Sequence, residues 1–327
     1  MNTQLLNRVF SVTPAEFEAL ALDMFRFQVK HNGVYAQYVS YLNIDVNSVE
    51  LIEQIPFLPI SFFRSHRILV DNDKHEVIFS SSGTTGAESS KHYVKSLAVY
   101  EQSFLEGFRL FYGDVSDYCV LALLPSYLER DGSSLVYMAN RLIADSQNPH
   151  SGFFLHNPNE LVEQLKHLEK IHQPTILLGV TFALLELASK HRLNLKSTIV
   201  METGGMKGRG KELVRSEVHA ILKQSLGLSS VHSEYGMTEL LSQAYSKGEG
   251  VFSTPPWMRV LVRDPYDPFS YLPNGRSGAL NIIDLANINS CSFIQTDDLG
   301  ALHSNGTFEV SGRMDGSQIR GCNLLVL

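Results

Sequence analysis

The spacing of apolar residues changes twice along this chain, and the first stretch has a helical pattern. Four apolar residues between Phe17 and Phe27 recur three or four positions apart, after a Thr-Pro-Ala-Glu sequence at 13–16 that is typical of a helix start. A second short helix is predicted over 47–54, starting at Asn47 or Ser48, and Pro56 ends it. We therefore expect residues 1–75 to form a helical N-terminal region packed on a core.

From Val77 onward, short continuous apolar runs alternate with longer amphipathic segments. Such runs are typical of strands buried on both faces, and the segments between them are long enough for crossover helices. The predicted strands are 77–79, 118–124, 175–179 and 198–201, and the predicted helices are 133–143, 160–170, 182–191 and 211–226. This order predicts an α/β core over 76–255, built from layered, mostly parallel sheets with crossover helices.

Beyond Pro255 the pattern changes again, to short segments that are typical of antiparallel strands. Strands are predicted over 279–283, 300–303 and 307–310, and a Ser-Asn-Gly turn joins the last two. We expect residues 256–327 to form a small antiparallel β subdomain that ends in a truncated hinge and tail.

Composition and charge exclude several classes of protein. The 327 residues are 44% hydrophobic and 19% charged with a net charge of −7, which disfavours a nucleic-acid-binding surface. No apolar run reaches the roughly 18 residues that a membrane span requires. Three cysteines without a Cys-x-x-Cys pair fit a reducing compartment and disfavour a zinc site. We therefore expect a cytoplasmic protein with no membrane span and no nucleic-acid partner.

Candidate chemistry begins in the loop after the first predicted strand, where residues 81–86 read Ser-Ser-Gly-Thr-Thr-Gly. Small side chains leave backbone N–H groups and hydroxyls accessible, and the two glycines allow the backbone to approach a phosphate closely. It is not a Walker loop, because no Gly-Lys-Ser/Thr follows. A solvated linker has the same composition, so the loop alone leaves both interpretations open.

Four later stretches carry further polar groups. Met-Glu-Thr-Gly-Gly-Met at 201–206 places a glycine pair at a strand end, where open α/β sheets bind ligands. Ser-Glu-Tyr-Gly-Met-Thr-Glu at 233–239 offers an aromatic ring for a base, a hydroxyl for a phosphate and a carboxylate for Mg²⁺. Gln-Thr-Asp-Asp-Leu-Gly at 295–300 has carboxylates suited to a ribose diol, and Gly-Arg-Met-Asp follows at 312–315.

In this order, the five stretches resemble the motifs of the adenylate-forming superfamily of acyl-CoA ligases and luciferase-like enzymes. Residues 81–86 resemble its phosphate loop, Tyr-Gly-Met-Thr-Glu its adenine-and-magnesium motif, and Thr-Asp-Asp-Leu-Gly its ribose motif. Within the superfamily the chain looks closest to the bioluminescence acyl-protein synthetases and to the phenylacetate–CoA ligases. Ile-Pro-Phe-Leu-Pro-Ile at 55–60 and Leu-Pro-Ser-Tyr-Leu-Glu-Arg at 124–130 also resemble the synthetases.

The resemblance implies a role for each residue that matches a motif, with ATP and Mg²⁺ bound. The β- and γ-phosphates of ATP would lie against Ser81, Ser82, Gly83, Thr84, Thr85 and Gly86. Gly204 and Gly205 would lie along adenine or the acyl pocket, and Tyr235 would stack on adenine. Thr238 would contact the α-phosphate, and Glu239 would bind Mg²⁺. Asp298 would bind the ribose hydroxyls, and Arg313 would bind the ribose or a phosphate. A core aromatic is the alternative for Tyr235.

The C-terminal end differs from the superfamily pattern. Members continue past the hinge into a lid that carries an adenylation lysine, whereas this sequence ends five residues after Cys322. We expect Lys91 or Lys207 to serve instead, or a partner to supply the lysine, unless adenylation is slow. The resemblance to the synthetases implies that Cys322 carries the acyl group as a thioester, and neighbouring Arg320 favours its thiolate. A cysteine buried under the final strand is the alternative.

The sequence therefore predicts an ATP-dependent ligase that activates a carboxylic acid, in particular a fatty acid, as acyl-AMP and transfers it to a protein thiol. The expected partners are the acid and an acyl-CoA reductase-like protein or acyl carrier protein that receives the acyl group. Two alternatives stay open, an acyl-CoA ligase of the phenylacetate type and a non-catalytic adenylate-binding subunit of an acyl-transfer complex.

Overall fold

A computed structural model describes residues 3–72, 74–81, 89–124, 132–204 and 213–314. Its contacts divide the chain into two compact units, one of Met1–Asp73 with Pro256–Leu327 and one of Lys74–Pro255. The helices are α1 Thr3–Val9, α2 Phe17–His31, α3 Gly33–Tyr41, α4 Phe62–Ser65, α5 Leu97–Tyr112, α6 Ser134–Ser146, α7 Pro158–Lys170, α8 Thr181–Lys190 and α9 Arg215–Leu226. The strands are β1 Leu58–Pro59, β2 Val77–Ser80, β3 Lys91–Val94, β4 Cys119–Leu123, β5 Gly152–Phe153, β6 Thr175–Val180, β7 Thr198–Thr203, β8 His232–Tyr235, β9 Ala244–Ser246, β10 Val251–Phe252, β11 Met258–Arg263, β12 Ser277–Asp284, β13 Phe293–Leu302 and β14 Phe308–Arg313.

A six-stranded sheet organises the Lys74–Pro255 unit. Its order is β5-β4-β6-β7-β8-β9, with the first five strands parallel and β9 antiparallel. Every residue of β4 is buried, as its continuous apolar sequence predicted. Leucines of α7, α8 and α9 join the central strands in one apolar core. The predicted α/β fold with mostly parallel strands and crossover helices is confirmed.

An antiparallel sheet organises the other unit. Strands β11, β12, β13 and β14 pair in that order, and the short β1 runs parallel to the start of β13. Helix α2 is attached to the loop before β13, because the Gln28 side-chain amide donates to the carbonyls of Asn287 (2.9 Å) and Ile288 (3.1 Å). Phe25 of α2 also packs edge-to-face on Phe293, with 6.3 Å between ring centroids.

The helix predicted over 47–54 is wrong. Two single 3₁₀ turns stand there, Val46–Ser48 and Ile52–Gln54, with extended backbone between them. Side chains compete for the backbone N–H groups that a helix needs: Asp45 accepts from Asn47, and Gln54 accepts from Glu50 and Leu51. No helix in the described part of the chain is long and apolar enough to cross a membrane.

Candidate functional site

The parallel strands β6, β7 and β8 end at one edge of the Lys74–Pro255 sheet. Val180 pairs with Thr203, and Thr203 pairs with Glu234, so the carboxyl ends of the three strands are level. Gly204 follows β7 with a φ of +81° and is exposed. Tyr235 ends β8, and the loop with Thr238 and Glu239 follows it. This strand-end edge is where open α/β sheets bind ligands.

A buried histidine joins this edge to the strand that follows the 81–86 loop. His92 lies on β3 and is 1% exposed, and its Nδ1 is 2.8 Å from the carbonyl oxygen of Thr238. Because a carbonyl only accepts, Nδ1 carries the hydrogen. Ser81, at the start of the loop, donates its N–H to the carbonyl of Ser90 (3.1 Å) and accepts the Ser90 N–H on Oγ (3.0 Å). Ser81 and Ser90 are thereby paired with each other, and His92 on the same strand holds the Thr238 carbonyl.

The burial of His92 predicts an acid-sensitive fold. Burial lowers the pKa of His92 to about 4, although the hydrogen bond to Thr238 opposes that shift. Below pH 6.5 the unfolded chain therefore binds a proton that the folded chain does not, so stability falls by roughly 1.4 kcal/mol per pH unit down to about pH 4. We expect His92→Asn, whose amide replaces Nδ1–H, to remove this contribution in urea unfolding measured from pH 7 to pH 4.5.

His167, exposed on α7, provides the matched control, and His167→Gln should keep the pH slope of the parent protein. Burial also lowers the pKa of His232 to about 4, so part of the slope should remain in His92→Asn. If the unfolding free energy of His92→Asn fell with decreasing pH as steeply as that of the parent protein, His92 would not be a source of the acid sensitivity.

Glu234 explains the glycine in Tyr-Gly-Met-Thr-Glu. The Glu234 carboxylate accepts a short hydrogen bond from the Thr203 hydroxyl. A Cβ on Gly236 would lie 2.5 Å from Glu234 Oε1, so any other residue would require this carboxylate to shift. Tyr235 is 7% exposed and packs against Phe252, with 5.9 Å between ring centroids. Its surroundings are those of a core aromatic, and its stacking on adenine stays a prediction.

Glu202, in the Met-Glu-Thr-Gly-Gly-Met stretch, is the centre of a buried polar network to which the sequence assigned no role. Its carboxylate accepts from the Thr181 hydroxyl (3.0 Å) and from Arg215 Nε (3.1 Å), and lies 3.6 Å from His219 Nε2. Burial works to raise the pKa of Glu202, but His219, Arg215 and their neighbours outweigh it and hold the pKa below its usual value. The network fixes the end of β7 just before Gly204.

Two further predicted residues meet in the antiparallel sheet of the other unit. Asp298 on β13 pairs with Arg313 on β14, and Arg313 Nε lies 3.4 Å from Asp298 Oδ1. The Asp298 side chain is 14% exposed and that of Arg313 is 60% exposed. The backbone is held as well, since Met314 donates its N–H to the carbonyl of Asp297 (2.7 Å).

Several predicted residues lie outside the described residues: Ser82, Gly83, Thr84, Thr85, Gly86, Gly205, Lys207 and Cys322. Of the lysine candidates, Lys91 is exposed at the start of β3, opposite Ser80. Its role as the adenylation lysine stays a prediction.

The described residues offer few ligands for Mg²⁺. Among the described residues no group of three or more His, Cys, Asp or Glu side chains could hold a metal ion. Mg²⁺ in nucleotide sites is commonly bound through one or two carboxylates, with phosphates and water as the other ligands. Glu239, which is 5% exposed, is the carboxylate that the motif predicts for such a site, and its binding of Mg²⁺ stays a prediction.

Comparisons of sequence agree with these motifs. Residues 13–102 match the family described as acyl-protein synthetase, LuxE. The long-chain-fatty-acid–luciferin-component ligase of Vibrio harveyi is 23% identical over an alignment of 361 residues, which covers 99% of this chain and 93% of that protein. The enzyme of the same name from Photorhabdus luminescens is 41% identical over 71 residues, 21% of this chain and 60% of that protein.

Comparisons of structure show the fold. A 2-hydroxyisobutyryl-CoA ligase in complex with 2-HIB-AMP and CoA superposes with a TM-score of 0.66 and 15% identity, over 95% of this chain and 71% of that one. ATP-bound MatB from Rhodopseudomonas palustris gives 0.56 and 19%, over 75% of this chain and 49% of MatB, so the match spans about half of MatB. Together with the sequence matches, these findings confirm the resemblance to the adenylate-forming superfamily and its acyl-protein synthetases, and the prediction of an acyl-activating ligase.

Proposed function

On the premise that this chain is an acyl-activating ligase with the adenylate-forming fold, we propose that it converts a fatty acid and ATP into an acyl adenylate and passes the acyl group to a protein thiol. The carboxylate of the acid attacks the α-phosphorus of ATP, and pyrophosphate leaves. The thiolate then attacks the acyl carbon, and AMP leaves in place of the much poorer leaving group hydroxide.

The hydrogen bond from His92 to the Thr238 carbonyl is the observation that carries this proposal. It keeps the Tyr-Gly-Met-Thr-Glu loop beside β3, the strand that follows residues 81–86. In this proposal the hydroxyls and backbone N–H groups of residues 81–86 bind phosphates, and a carboxylate of the Tyr-Gly-Met-Thr-Glu loop binds Mg²⁺. In this proposal Thr238 contacts the α-phosphate. Glu239 binds Mg²⁺, which when bound neutralises charge on the phosphates as pyrophosphate leaves.

The substrate and the acceptor are inferred from the relatives. The names of two related luciferin-component ligases specify a long-chain fatty acid, which supports a fatty acid as the substrate here. The match to an acyl-protein synthetase family supports a protein acceptor, either an acyl-CoA reductase-like protein or an acyl carrier protein. An acyl-CoA ligase is the second candidate, because the 2-hydroxyisobutyryl-CoA ligase shares the fold over most of the chain.

Exchange of labelled pyrophosphate into ATP tests the first step. We expect exchange that depends on a carboxylic acid, and that is fastest for long-chain fatty acids in a panel that also contains short and aromatic acids. Pyrophosphate exchange without formation of acyl-CoA supports the acyl-protein synthetase, whereas release of AMP that depends on CoA supports the acyl-CoA ligase. No exchange with any acid would leave only a nucleotide-binding subunit.

Asp298 is proposed to accept hydrogen bonds from the ribose hydroxyls. We expect Asp298→Ala to raise the KM for ATP about tenfold or more, the effect of losing a hydrogen bond to a charged group. Its ion pair with the exposed Arg313 contributes little to stability, so the unfolding midpoint should hardly change. Glu309→Ala, which removes an exposed carboxylate on β14, is the control and should keep the parent KM. A mutant that unfolds but binds ATP normally while folded would make Asp298 structural.

A further inference from the structure

The stretch with Asp298 lies on a β-bulge. Asn281 pairs with Gln295 and Ala279 with Leu299, so that between these pairs β12 has one residue, Leu280, and β13 has three, 296–298. The extra residues interrupt the ladder and change the direction of the side chains that they carry. Bulges of this kind occur often beside active sites, where they aim a side chain.

One hydroxyl supports the bulge from within. The Thr296 hydroxyl donates to the carbonyl of Leu280, 2.7 Å away, and its oxygen accepts the N–H of Asp298 at 3.1 Å. Thr296 is fully buried. A backbone acceptor opposite the bulge and a backbone donor inside it are therefore both satisfied by the same side chain.

A buried arginine supports the bulge from the neighbouring strand. Arg263 ends β11 and is 2% exposed. Its Nε donates to Asn281 Oδ1 (3.1 Å), and one terminal nitrogen donates to the carbonyl of Thr296 (3.1 Å). The other terminal nitrogen donates to the carbonyl of Asp264 (3.2 Å). Burial lowers the pKa of this guanidinium, and the charge of Asp297 opposes that shift.

The position of this arginine is costly for the fold. Within the described part of the chain Arg263 forms no ion pair, and its hydrogen bonds go to neutral oxygens, while the charges of Asp297 and Asp264 act on it from a longer distance. Burying a charge without an ion-pair partner is unfavourable. A planar fork of donors can join acceptors on β12, on β13 and just after the end of β11 at once, which a lysine ammonium or an apolar side chain cannot reproduce. Stability alone therefore does not account for an arginine here.

We infer that Arg263 is a positioning residue for nucleotide recognition: by holding the Thr296 carbonyl it fixes the bulge that aims the Asp298 carboxylate at the ribose hydroxyls. The inference rests on the proposed role of Asp298. Arg263 itself contacts no substrate. Its effect should therefore appear as a loss of selectivity for the ribose hydroxyls and not as a general loss of activity.

The test compares ATP with 2′-deoxy-ATP and 3′-deoxy-ATP in acid-dependent exchange, as the ratio of kcat/KM for ATP to that for each analogue. We expect Arg263→Lys to lower this ratio about tenfold for the analogue whose missing hydroxyl Asp298 binds. Thr296→Val should act in the same direction. In Asp298→Ala, a further Arg263→Lys change should have no additional effect, because both act through one carboxylate. Arg276→Lys, an exposed arginine just before β12, is the matched control.

Two results would overturn the inference. An unchanged ratio in Arg263→Lys, or equal losses with ATP and both analogues, would make Arg263 a structural residue only; failure of both Arg263→Lys and Thr296→Val to fold would lead to the same conclusion. A parent-like ratio in Asp298→Ala is a different outcome, since it rejects the ribose contact in the proposed function whatever Arg263 does.

Discussion

Glu239→Gln is expected to lower acid-dependent pyrophosphate exchange about a hundredfold or more while leaving the fold intact. The substitution keeps the size of the side chain and removes the charge that makes a carboxylate a good ligand for Mg²⁺. A metal ligand supplies several kcal/mol of charge stabilisation as pyrophosphate leaves, and about 2.7 kcal/mol corresponds to a hundredfold in rate.

The dependence on Mg²⁺ concentration separates a metal role from a structural one. In Glu239→Gln the exchange should need more Mg²⁺ to reach half its maximum, and thermal unfolding without nucleotide should stay close to the parent. Glu186→Gln, which changes an exposed carboxylate on α8, serves as the control. Exchange equal to the parent at limiting Mg²⁺ would remove Glu239 from the metal site.

Cys322→Ser is expected to abolish the stable acyl-protein while leaving pyrophosphate exchange largely unchanged, because the acyl adenylate forms before the thiol reacts. In the parent protein, incubation with ATP, Mg²⁺ and a productive acid should add one acyl group that neutral hydroxylamine removes. Mass spectrometry of the digested protein would locate that group. The thiolate is the nucleophile, so the acceptor must be a cysteine that ionises readily.

The two other cysteines are poor acceptors. Cys119 and Cys291 are both fully buried, burial raises the pKa of Cys119, and it raises that of Cys291 to about 12. Cys119→Ala and Cys291→Ala should therefore keep the acylation wherever they fold. An acyl group found on either residue, or loss of exchange in Cys322→Ser, would contradict the assignment of Cys322 as an acceptor that acts only after adenylation.

Local patterns predicted the strands that lie inside the parallel sheet, because a continuous apolar run such as β4 has few other places in a fold. The motifs also named Asp298 and Arg313 as site residues, and the cross-strand pairing brings the two together, while their contacts with ATP stay predictions. They could not predict His92, Glu202 or Arg263. Each of these is a buried polar residue on a strand. Its partner is distant in the sequence or is a backbone carbonyl, so no local sequence pattern indicates it.

The N-terminal helices show the same limit for packing. The spacing from Phe17 to Phe27 predicted that α2 is amphipathic, but not what covers its apolar face. Phe25 packs on Tyr35 of the next helix, but other partners lie about 260 positions later, where Gln28 contacts Asn287 and Ile288. Separations of this size carry no pattern that a single sequence reveals.

This long separation also determines the order of events during synthesis. Residues 3–72 leave the ribosome before the Lys74–Pro255 unit, and the strands that cover Phe25 follow only after it. At about 5 to 20 residues per second, Phe25 waits on the order of 10 to 50 s for its partner Phe293. During that time the contiguous α/β unit has all of its own strands available and can fold first. The nascent helices therefore present the stretch most exposed to chaperones and to premature association with other chains.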